Sequence, residues 1–175
     1  MRRVHYCVAA SLDGYIAGLR GEYDWIPAEP AIDWAAFMQR FDTVLMGRGT
    51  YELVAGDSTG AAMPQMSTVV FSRTLKSAEH PKVTIVAHDA PAYVGALRQA
   101  PGKDIWLMGG GVLFASLLES DLVDVLEIGL SPVLLGQGLP LLPPMPRRTR
   151  LVLKHTHTYP SGIVMLTYDV RRDAG

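Results

Sequence analysis

The stretch Val44-Leu45-Met46-Gly47-Arg48-Gly49-Thr50-Tyr51-Glu52 contains the local pattern on which the fold assignment depends. An apolar run typical of a buried strand ends at Gly47, and a helical pattern begins a few residues later. Backbone N–H groups at such a turn can bind an anion, Arg48 adds a positive charge, and Thr50 adds a hydroxyl. The pattern favours a phosphate site, but Thr50 as an N-cap and Arg48 as a solvated surface charge explain it equally well.

A second polar turn follows the next strand-like run, in the segment Phe71-Ser72-Arg73-Thr74. Ser72 and Arg73 offer a hydroxyl and a guanidinium where an adenosine 2′-phosphate could be bound. Such a site would favour NADPH over NADH. The alternative is an ordinary polar turn at the end of a strand, which any soluble protein contains.

The third turn lies in the segment Trp106-Leu107-Met108-Gly109-Gly110-Gly111-Val112, which runs from an apolar strand through three glycines into a helical pattern. Three consecutive glycines lose much conformational entropy on folding, so close approach of a pyrophosphate is the preferred explanation. The run matches neither a Walker loop nor the G-x-G-x-x-G fingerprint. We therefore expect Gly109, Gly110, Gly111 and Val112 to contact a cofactor.

Composition argues for one domain and against several classes of function. The 175 residues are 49% hydrophobic and 19% charged, with a formal net charge of −1. A chain of this length forms one domain, residues 1–175. Because the chain has no excess of positive charge, we expect no nucleic-acid partner. The longest apolar stretch, Ile105 to Leu118, is too short to span a bilayer, and a lone Cys7 cannot form an internal disulfide. These features predict a cytoplasmic protein without a membrane partner.

Strand-like and helix-like segments alternate early in the chain, and strands dominate towards its end. Eight segments have the composition of β-strands: Val4–Ala10, Thr43–Met46, Thr68–Phe71, Val83–Ala87, Ile105–Met108, Val123–Leu130, Leu151–Tyr159 and Ile163–Val170. Helical patterns cover Pro30–Phe41, Thr50–Val54, Ala90–Gln99 and Val112–Glu119. This order predicts an α/β/α sandwich around a mixed, mostly parallel sheet with an antiparallel C-terminal edge. A flavodoxin-like arrangement also fits, because periodicity does not fix strand order.

The helical pattern Pro30–Phe41 carries the candidate substrate residues. Asp33 falls in its first turn, and Phe37, four residues on, lies on the same face. If that face borders a cleft, the Asp33 carboxylate could hold the N–C–N edge of a pterin or pyrimidine and assist protonation, while Phe37 packs on the ring. The alternative is that Asp33 only complements the helix macrodipole.

Other polar residues have a structural explanation beside the functional one. Asp13 stands in an Asp-Gly turn and could also border the cleft. Trp25 could cover a ligand as part of a lid or simply anchor a long loop. His155 and His157 share one face of a strand but have no third ligand nearby in sequence, so we expect no metal site.

Taken together, the three turns resemble the dihydrofolate-reductase superfamily and its relatives, the reductase domains of riboflavin biosynthesis. The resemblance covers nearly the whole chain, and three ordered motifs make it specific. It implies that Arg48, Thr50, Ser72 and Arg73 contact the adenosine-side phosphates of NADPH, with Gly47 in the first turn. It also implies that the triple glycine lies against the pyrophosphate.

On the substrate side, the resemblance implies that Asp33 is the catalytic acidic residue and Phe37 the ring-packing aromatic. It also places Ala9, at the end of the first strand, in the same pocket. The segment Ser11-Leu12-Asp13-Gly14-Tyr15-Ile16-Ala17 is similar to a Ser-Leu-Asp-Gly-x-Ile-Ala segment of riboflavin-type reductases.

The expected function is hydride transfer from NADPH to a pyrimidine, most like 5-amino-6-(5-phosphoribosylamino)uracil reductase, or to a related heterocycle. Dihydrofolate reduction and a catalytically silent NADPH-binding module are the alternatives. The resemblance further implies a homodimer.

Overall fold

The structure is a computed structural model that describes residues 1–56 and 65–171. Its strands are β1 (Val4–Ser11), β2 (Tyr15–Ala17), β3 (Phe41–Gly47), β4 (Ser67–Phe71), β5 (Thr84–Val86), β6 (Asp104–Gly109), β7 (Val125–Ser131), β8 (Leu139–Pro140), β9 (Arg150–Thr158) and β10 (Val164–Arg171). Its helices are α1 (Trp34–Gln39), α2 (Arg48–Gly56), α3 (Ala90–Gln99) and α4 (Gly111–Glu119), with a short 3-10 helix at Ser77–Glu79.

One eight-stranded sheet organises the fold, in the order β5-β4-β3-β6-β1-β7-β10-β9. The first six strands in this order are parallel, whereas β10 runs antiparallel to both β7 and β9. A separate two-stranded sheet joins β2 to β8. The predicted mixed sheet with an antiparallel C-terminal edge is therefore confirmed.

The helices cover both faces of the sheet because successive residues of a strand point to opposite faces. On one face, Tyr6 of β1 stacks on Phe114 of α4 with ring centroids 3.9 Å apart, and Val94 of α3 lies in the same apolar cluster. On the other face, Cys7 clusters with residues of α1 and α2, among them Phe37. Among the described helices none has the length and apolar character needed to cross a membrane.

A polar network lies under α1 on the second face of the sheet. Glu127 of β7 accepts hydrogen bonds from Arg40, and its Oε1 lies 2.8 Å from Nδ1 of His5. Burial alone would raise the pKa of Glu127, but the hydrogen bonds from Arg40 and His5 outweigh it and lower the pKa to about 2. Ligand atoms of His5, Cys7 and Glu127 lie within 4.8 Å of one another. The Arg40 guanidinium already supplies the positive charge that this carboxylate needs.

Two local predictions were wrong. The predicted helix Pro30–Phe41 is only α1, because Asp33 caps it by accepting a hydrogen bond from the Ala36 N–H at 2.8 Å, and because Phe41 already begins β3. The short strands β2 and β8 were missed. Neither strand is long enough to show a periodic pattern.

Candidate functional site

A large cleft opens at the carboxyl ends of the parallel strands, where ligands collect in open α/β sheets. Its volume is about 1960 Å³, whereas pockets for small molecules measure roughly 300–1,000 Å³. Residues from the ends of β1, β3, β4 and β6 line it, as do the starts of α2 and α4. The cleft is large enough for a dinucleotide together with a second molecule.

The first predicted turn lies in the cleft wall. Gly47, Arg48 and Thr50 all line the cleft, at the junction of β3 and α2. Helix α2 begins at Arg48, so Thr50 belongs to its first turn and is not the N-cap. Arg48 pairs with Glu52 at 3.4 Å on an exposed surface, and such a pair contributes only about 0–1 kcal/mol. Its guanidinium can therefore turn to an anion in the cleft at little cost.

The second predicted turn faces the same cleft from the end of β4. The Ser72 hydroxyl is buried and accepts hydrogen bonds from the N–H groups of Thr74 and Leu75 at 3.2 and 3.1 Å. Ser72 therefore shapes the turn. Arg73 is exposed and has no ion pair within the described part of the chain. A smaller cavity of about 240 Å³, also lined by Ser72 and Arg73, adjoins the cleft.

The three consecutive glycines serve different purposes. Gly109 has φ +145, a conformation that side chains rarely adopt. A Cβ on Gly111 would lie 2.7 Å from the carbonyl oxygen of Pro140, so Gly111 permits close packing against β8. A Cβ on Gly110 would meet nothing closer than the Thr50 hydroxyl at 3.6 Å. Within the described residues the fold gives no packing reason for Gly110, which lines the cleft and leaves its backbone open to a ligand.

The three separated turns thus converge on one cavity. The predicted cofactor residues that line it are Gly47, Arg48, Thr50, Ser72, Arg73, Gly110, Gly111 and Val112. Gly109 does not line the cleft but directly precedes the residues that do. Ala9, predicted on the substrate side, also lines the cleft.

The other predicted substrate residues do not line the cleft. Asp33 is the N-cap of α1, and Phe37 packs edge-on against Phe41 and Trp106 with ring centroids 5.3 and 5.0 Å away. The cap explains Asp33 without a substrate, because an exposed helix start needs an acceptor for its free N–H groups. The geometry does not support the predicted grip of Asp33 and Phe37 on a heterocycle.

Asp13 and Trp25 also have structural partners. The Asp13 carboxylate accepts hydrogen bonds from the Ser11 hydroxyl at 2.6 Å and from the N–H groups of Leu135 and Gly136 at 3.1 and 2.7 Å. These hydrogen bonds, that of Ser11 above all, lower the pKa of Asp13. Asp13 thereby fixes the loop that leads into β8, which is a wall of the cleft. The Trp25 ring N–H donates to the Glu22 carbonyl at 3.0 Å, so Trp25 anchors its loop.

Other residues close to Trp25 and Asp33 in sequence line the cleft instead. Tyr23, Asp24, Ile26 and Trp34 line the cleft, and Trp34 is 56% exposed although it is a large aromatic. Sequence reasoning singled out the adjacent Trp25 and Asp33 instead of Asp24, Ile26 and Trp34, and it gave no role to Tyr23. The one available signal was the density of aromatic and acidic residues between Tyr23 and Trp34.

Sequence relatives place this geometry in a known family. The profile of the RibD C-terminal domain matches residues 2–165. Uncharacterized protein YyaP of Bacillus subtilis is 31% identical over an alignment 183 residues long, which covers 95% of this chain and 94% of that protein. Uncharacterized protein YwjB of the same organism is 32% identical over 165 residues, which cover 93% and 95%.

Solved structures agree with the sequence relatives. A protein of Shewanella sp. PV-4 assigned to riboflavin biosynthesis has TM-score 0.82 and 29% identity, over 98% of this chain and all (100%) of that one. A Thermotoga maritima deaminase and 5-amino-6-(5-phosphoribosylamino)uracil reductase shares the fold, with TM-score 0.70 and 18% identity over 97% of this chain and 57% of that one. Enterococcus faecalis dihydrofolate reductase, complexed with NADP(H), gives TM-score 0.67 and 18% identity over 97% of each chain. The fold is thus dihydrofolate-reductase-like, and the chain belongs to the RibD C-terminal domain family.

Proposed function

We propose that the protein is an NADPH-dependent reductase that transfers a hydride to a pyrimidine or a related heterocycle. The observation that carries the proposal is the convergence of Arg48, Thr50, Ser72, Arg73 and the open backbone at Gly110 on one cleft. Cations, hydroxyls and exposed N–H groups are the chemistry that binds a phosphorylated dinucleotide.

The residues present fit such a cofactor. Gly110 provides a stretch of wall with no side chain, and the first turn of α4 leaves N–H groups without intrahelical partners to face a pyrophosphate. Arg73, which has no ion pair in the described residues, can hold a 2′-phosphate as a planar fork. When bound, NADPH supplies a hydride from its nicotinamide ring. The chain then has to position the acceptor carbon and keep water out of the cleft.

The substrate class is supported by the family and by the neighbouring structures. The Thermotoga maritima neighbour is named as a 5-amino-6-(5-phosphoribosylamino)uracil reductase, and apolar and aromatic residues line part of the present cleft, which suits a flat ring. Dihydrofolate reduction is the alternative reaction, in keeping with the fold shared with the Enterococcus faecalis enzyme. A silent NADPH-binding module is the alternative without turnover.

The decisive experiment measures the oxidation of NADPH from the fall in its ultraviolet absorbance. Dihydrofolate and riboflavin-pathway pyrimidines are each tested as the substrate. Oxidation with a pyrimidine but not with dihydrofolate supports the proposal. Turnover of dihydrofolate alone favours the alternative reaction, and an NADPH-induced rise in Tm without any turnover favours the silent module. No rise in Tm with NADPH would reject a nicotinamide site altogether.

We also propose that the protein forms a homodimer through the open edge of its sheet. All nine residues of β9 are exposed, and Leu151, Val152 and Leu153 are 41%, 45% and 52% exposed. An exposed apolar edge strand is a template for pairing with another chain. A second copy pairing at this edge would cover both the apolar side chains and the free backbone groups.

A further inference from the structure

Large apolar side chains are exposed along the cleft. Five of them line it and are between 40% and 79% exposed: Leu19, Tyr23, Trp34, Leu53 and Val112. Contact of water with so much apolar surface is unfavourable, and a concentration of exposed apolar side chains marks a binding surface. The cleft therefore favours a molecule that has apolar surface of its own.

Part of this wall is a loop segment, residues 18–26, that folds on itself and packs against α2. The Gly18 N–H donates to the Glu22 carbonyl at 2.8 Å, and the Gly21 N–H donates to the Gly18 carbonyl at 3.0 Å. A Cβ on Gly21 would lie 2.8 Å from Cδ1 of Leu53, so the backbone of the loop segment is in contact with this side chain of α2. The loop segment is thus a built part of the cleft.

The loop segment carries a net charge of −1, because it contains one cation, Arg20, and two carboxylates, Glu22 and Asp24. The Nε–H of Arg20 donates to Oε1 of Glu22 at 2.7 Å, and its backbone N–H donates to Oε2 at 2.8 Å. A phosphate that approached Arg20 would also approach these carboxylates and be repelled. Arg48 differs, because it lies in the first turn of α2, where free N–H groups add to its positive charge.

The cleft has few cations to offer to a phosphorylated substrate. Among the residues of 1–56 and 65–171, the cations that line it are Arg20, Arg48 and Arg73. Arg48 and Arg73 belong to the turns assigned above to the cofactor. The sequence of residues 57–64 contains no Lys or Arg. Once a dinucleotide occupies the turns, the described part of the cleft has no cation left outside the negatively charged loop segment.

We infer that the substrate of this cleft is an uncharged, flat ring compound that carries no phosphate. The inference deepens the proposed function and rests on it, because the cofactor has to occupy Arg48 and Arg73 before the rest of the wall selects the substrate. The apolar side chains attract the ring, and the loop segment repels an added phosphate. Attraction and repulsion therefore select for the same class of molecule.

The test uses riboflavin and its 5′-phosphate, FMN, as probes, because they share one flat ring system and differ by the phosphate group. Each is titrated into the intact chain in the presence of saturating NADP⁺, the oxidised cofactor, which fills the cofactor part of the cleft and prevents turnover. The fluorescence of the flavin measures binding. Riboflavin should bind about tenfold or more tightly than FMN, and added salt should narrow the difference because salt screens exposed charges.

Two variants with the same substitution test the role of charge. Leu19→Lys adds a cation to the loop segment and should reduce the preference for riboflavin to within about threefold. Leu12→Lys is the matched control, because Leu12 is 64% exposed against 61% for Leu19 but does not line the cleft. It should keep the wild-type preference, and circular dichroism should show that both variants are folded.

Equal or tighter binding of FMN by the wild type, or no binding of riboflavin, overturns the inference. A preference for riboflavin that neither salt nor Leu19→Lys reduces also overturns it, because repulsion by the loop segment would then not be the cause.

The NADPH-induced shift in Tm separates this inference from the proposed function. A normal shift together with a preference for FMN rejects the inference about the substrate alone. If NADPH produces no shift in the wild type, the reductase proposal fails. The two flavins are then compared without a cofactor, and a preference for FMN still overturns the inference.

Discussion

Arg40 donates a hydrogen bond from Nη1 to Oε2 of Glu127 at 2.8 Å, and this contact joins the end of α1 to β7 across one face of the sheet. The Glu127 side chain is only 11% exposed, and His5 holds its other oxygen. The network fixes the position of α1, whose first residue, Trp34, is part of the cleft wall. A charge cluster outside the cleft thus helps to set the shape of the cleft.

We predict that Glu127 makes the protein acid-sensitive. Its pKa is about 2 in the folded chain against 4.5 ordinarily, so the ionised form stabilises the fold by about 3 kcal/mol at pH 7. That contribution is complete above pH 4.5 and is lost as the pH falls towards 2. At pH 3, about 1 kcal/mol of this contribution to the free energy of unfolding should remain, as measured by urea denaturation of the wild type.

Glu127→Gln should lose that stability at pH 7 and should therefore show a weaker dependence on pH in the acid range. The matched control is Glu119→Gln, because Glu119 is an exposed carboxyl at the end of α4. The interpretation is wrong if both variants have the same pH profile as the wild type.

We predict that Arg73 is responsible for a preference for NADPH over NADH. Replacing it in Arg73→Gln removes the planar cation that would pair with the 2′-phosphate, so NADPH binding should weaken by about tenfold or more. NADH binding, measured by the same fluorescence titration, should change little. Lys76→Gln is the control, since Lys76 is a nearby exposed cation that does not line the cleft and pairs with Glu79 at 3.6 Å. Parallel losses for both cofactors would contradict the assignment.

We predict opposite outcomes for two adjacent glycine substitutions. Gly110→Ala has room within the fold, so its Tm should stay near that of the wild type, but the new methyl group should weaken NADPH binding by about tenfold. Gly111→Ala brings a Cβ to 2.7 Å from the Pro140 carbonyl oxygen and should lower Tm. Differential scanning fluorimetry with and without NADPH measures both effects. Normal NADPH binding by Gly110→Ala would mean that no ligand approaches this backbone.

We predict that Asp33 serves the helix and not the reaction. Asp33→Ala removes the acceptor for the Ala36 N–H and should cost about 1 kcal/mol of stability. Asp33→Asn keeps a capping oxygen and should be close to wild type in both chemical denaturation and NADPH oxidation. A large fall in kcat for Asp33→Asn, with stability unchanged, would restore this residue to the mechanism.

We predict that a charge on β9 disrupts self-association. Leu153→Lys places an ammonium on the exposed apolar edge and should shift the protein from dimer to monomer in sedimentation velocity. Leu12→Lys, at another exposed leucine, is the control and should leave the dimer intact. A wild-type monomer at micromolar concentration would reject the proposed edge contact.

The convergence of the three turns on one cleft was predictable because the pattern of each turn is local. A strand, a glycine or hydroxyl turn and a helix follow one another within a few residues around Gly47 and Gly110, and parallel strands bring such turns to one edge. Val44 and Leu45 mark the buried strand by composition alone. The sheet and its C-terminal hairpin followed from the same reasoning.

The rest of the cleft wall was not predictable because it depends on the path of a long irregular loop. Asp33 caps α1 and does not line the cleft, whereas Asp24 does, and helix boundaries are the least certain part of a sequence-based assignment. The contact of Asp13 with Gly136 joins residues far apart in sequence, so no local pattern indicates it. The wall built from β2 and β8 depends on that contact.

The strand order has a consequence for biosynthesis. Strand β1 is made first, yet its two neighbours in the sheet, β6 and β7, are among the later segments to leave the ribosome. The middle of the sheet therefore stays unfinished until Ser131 has emerged, and a nascent chain interrupted before that point exposes Val4 and Tyr6 to chaperones or to aggregation.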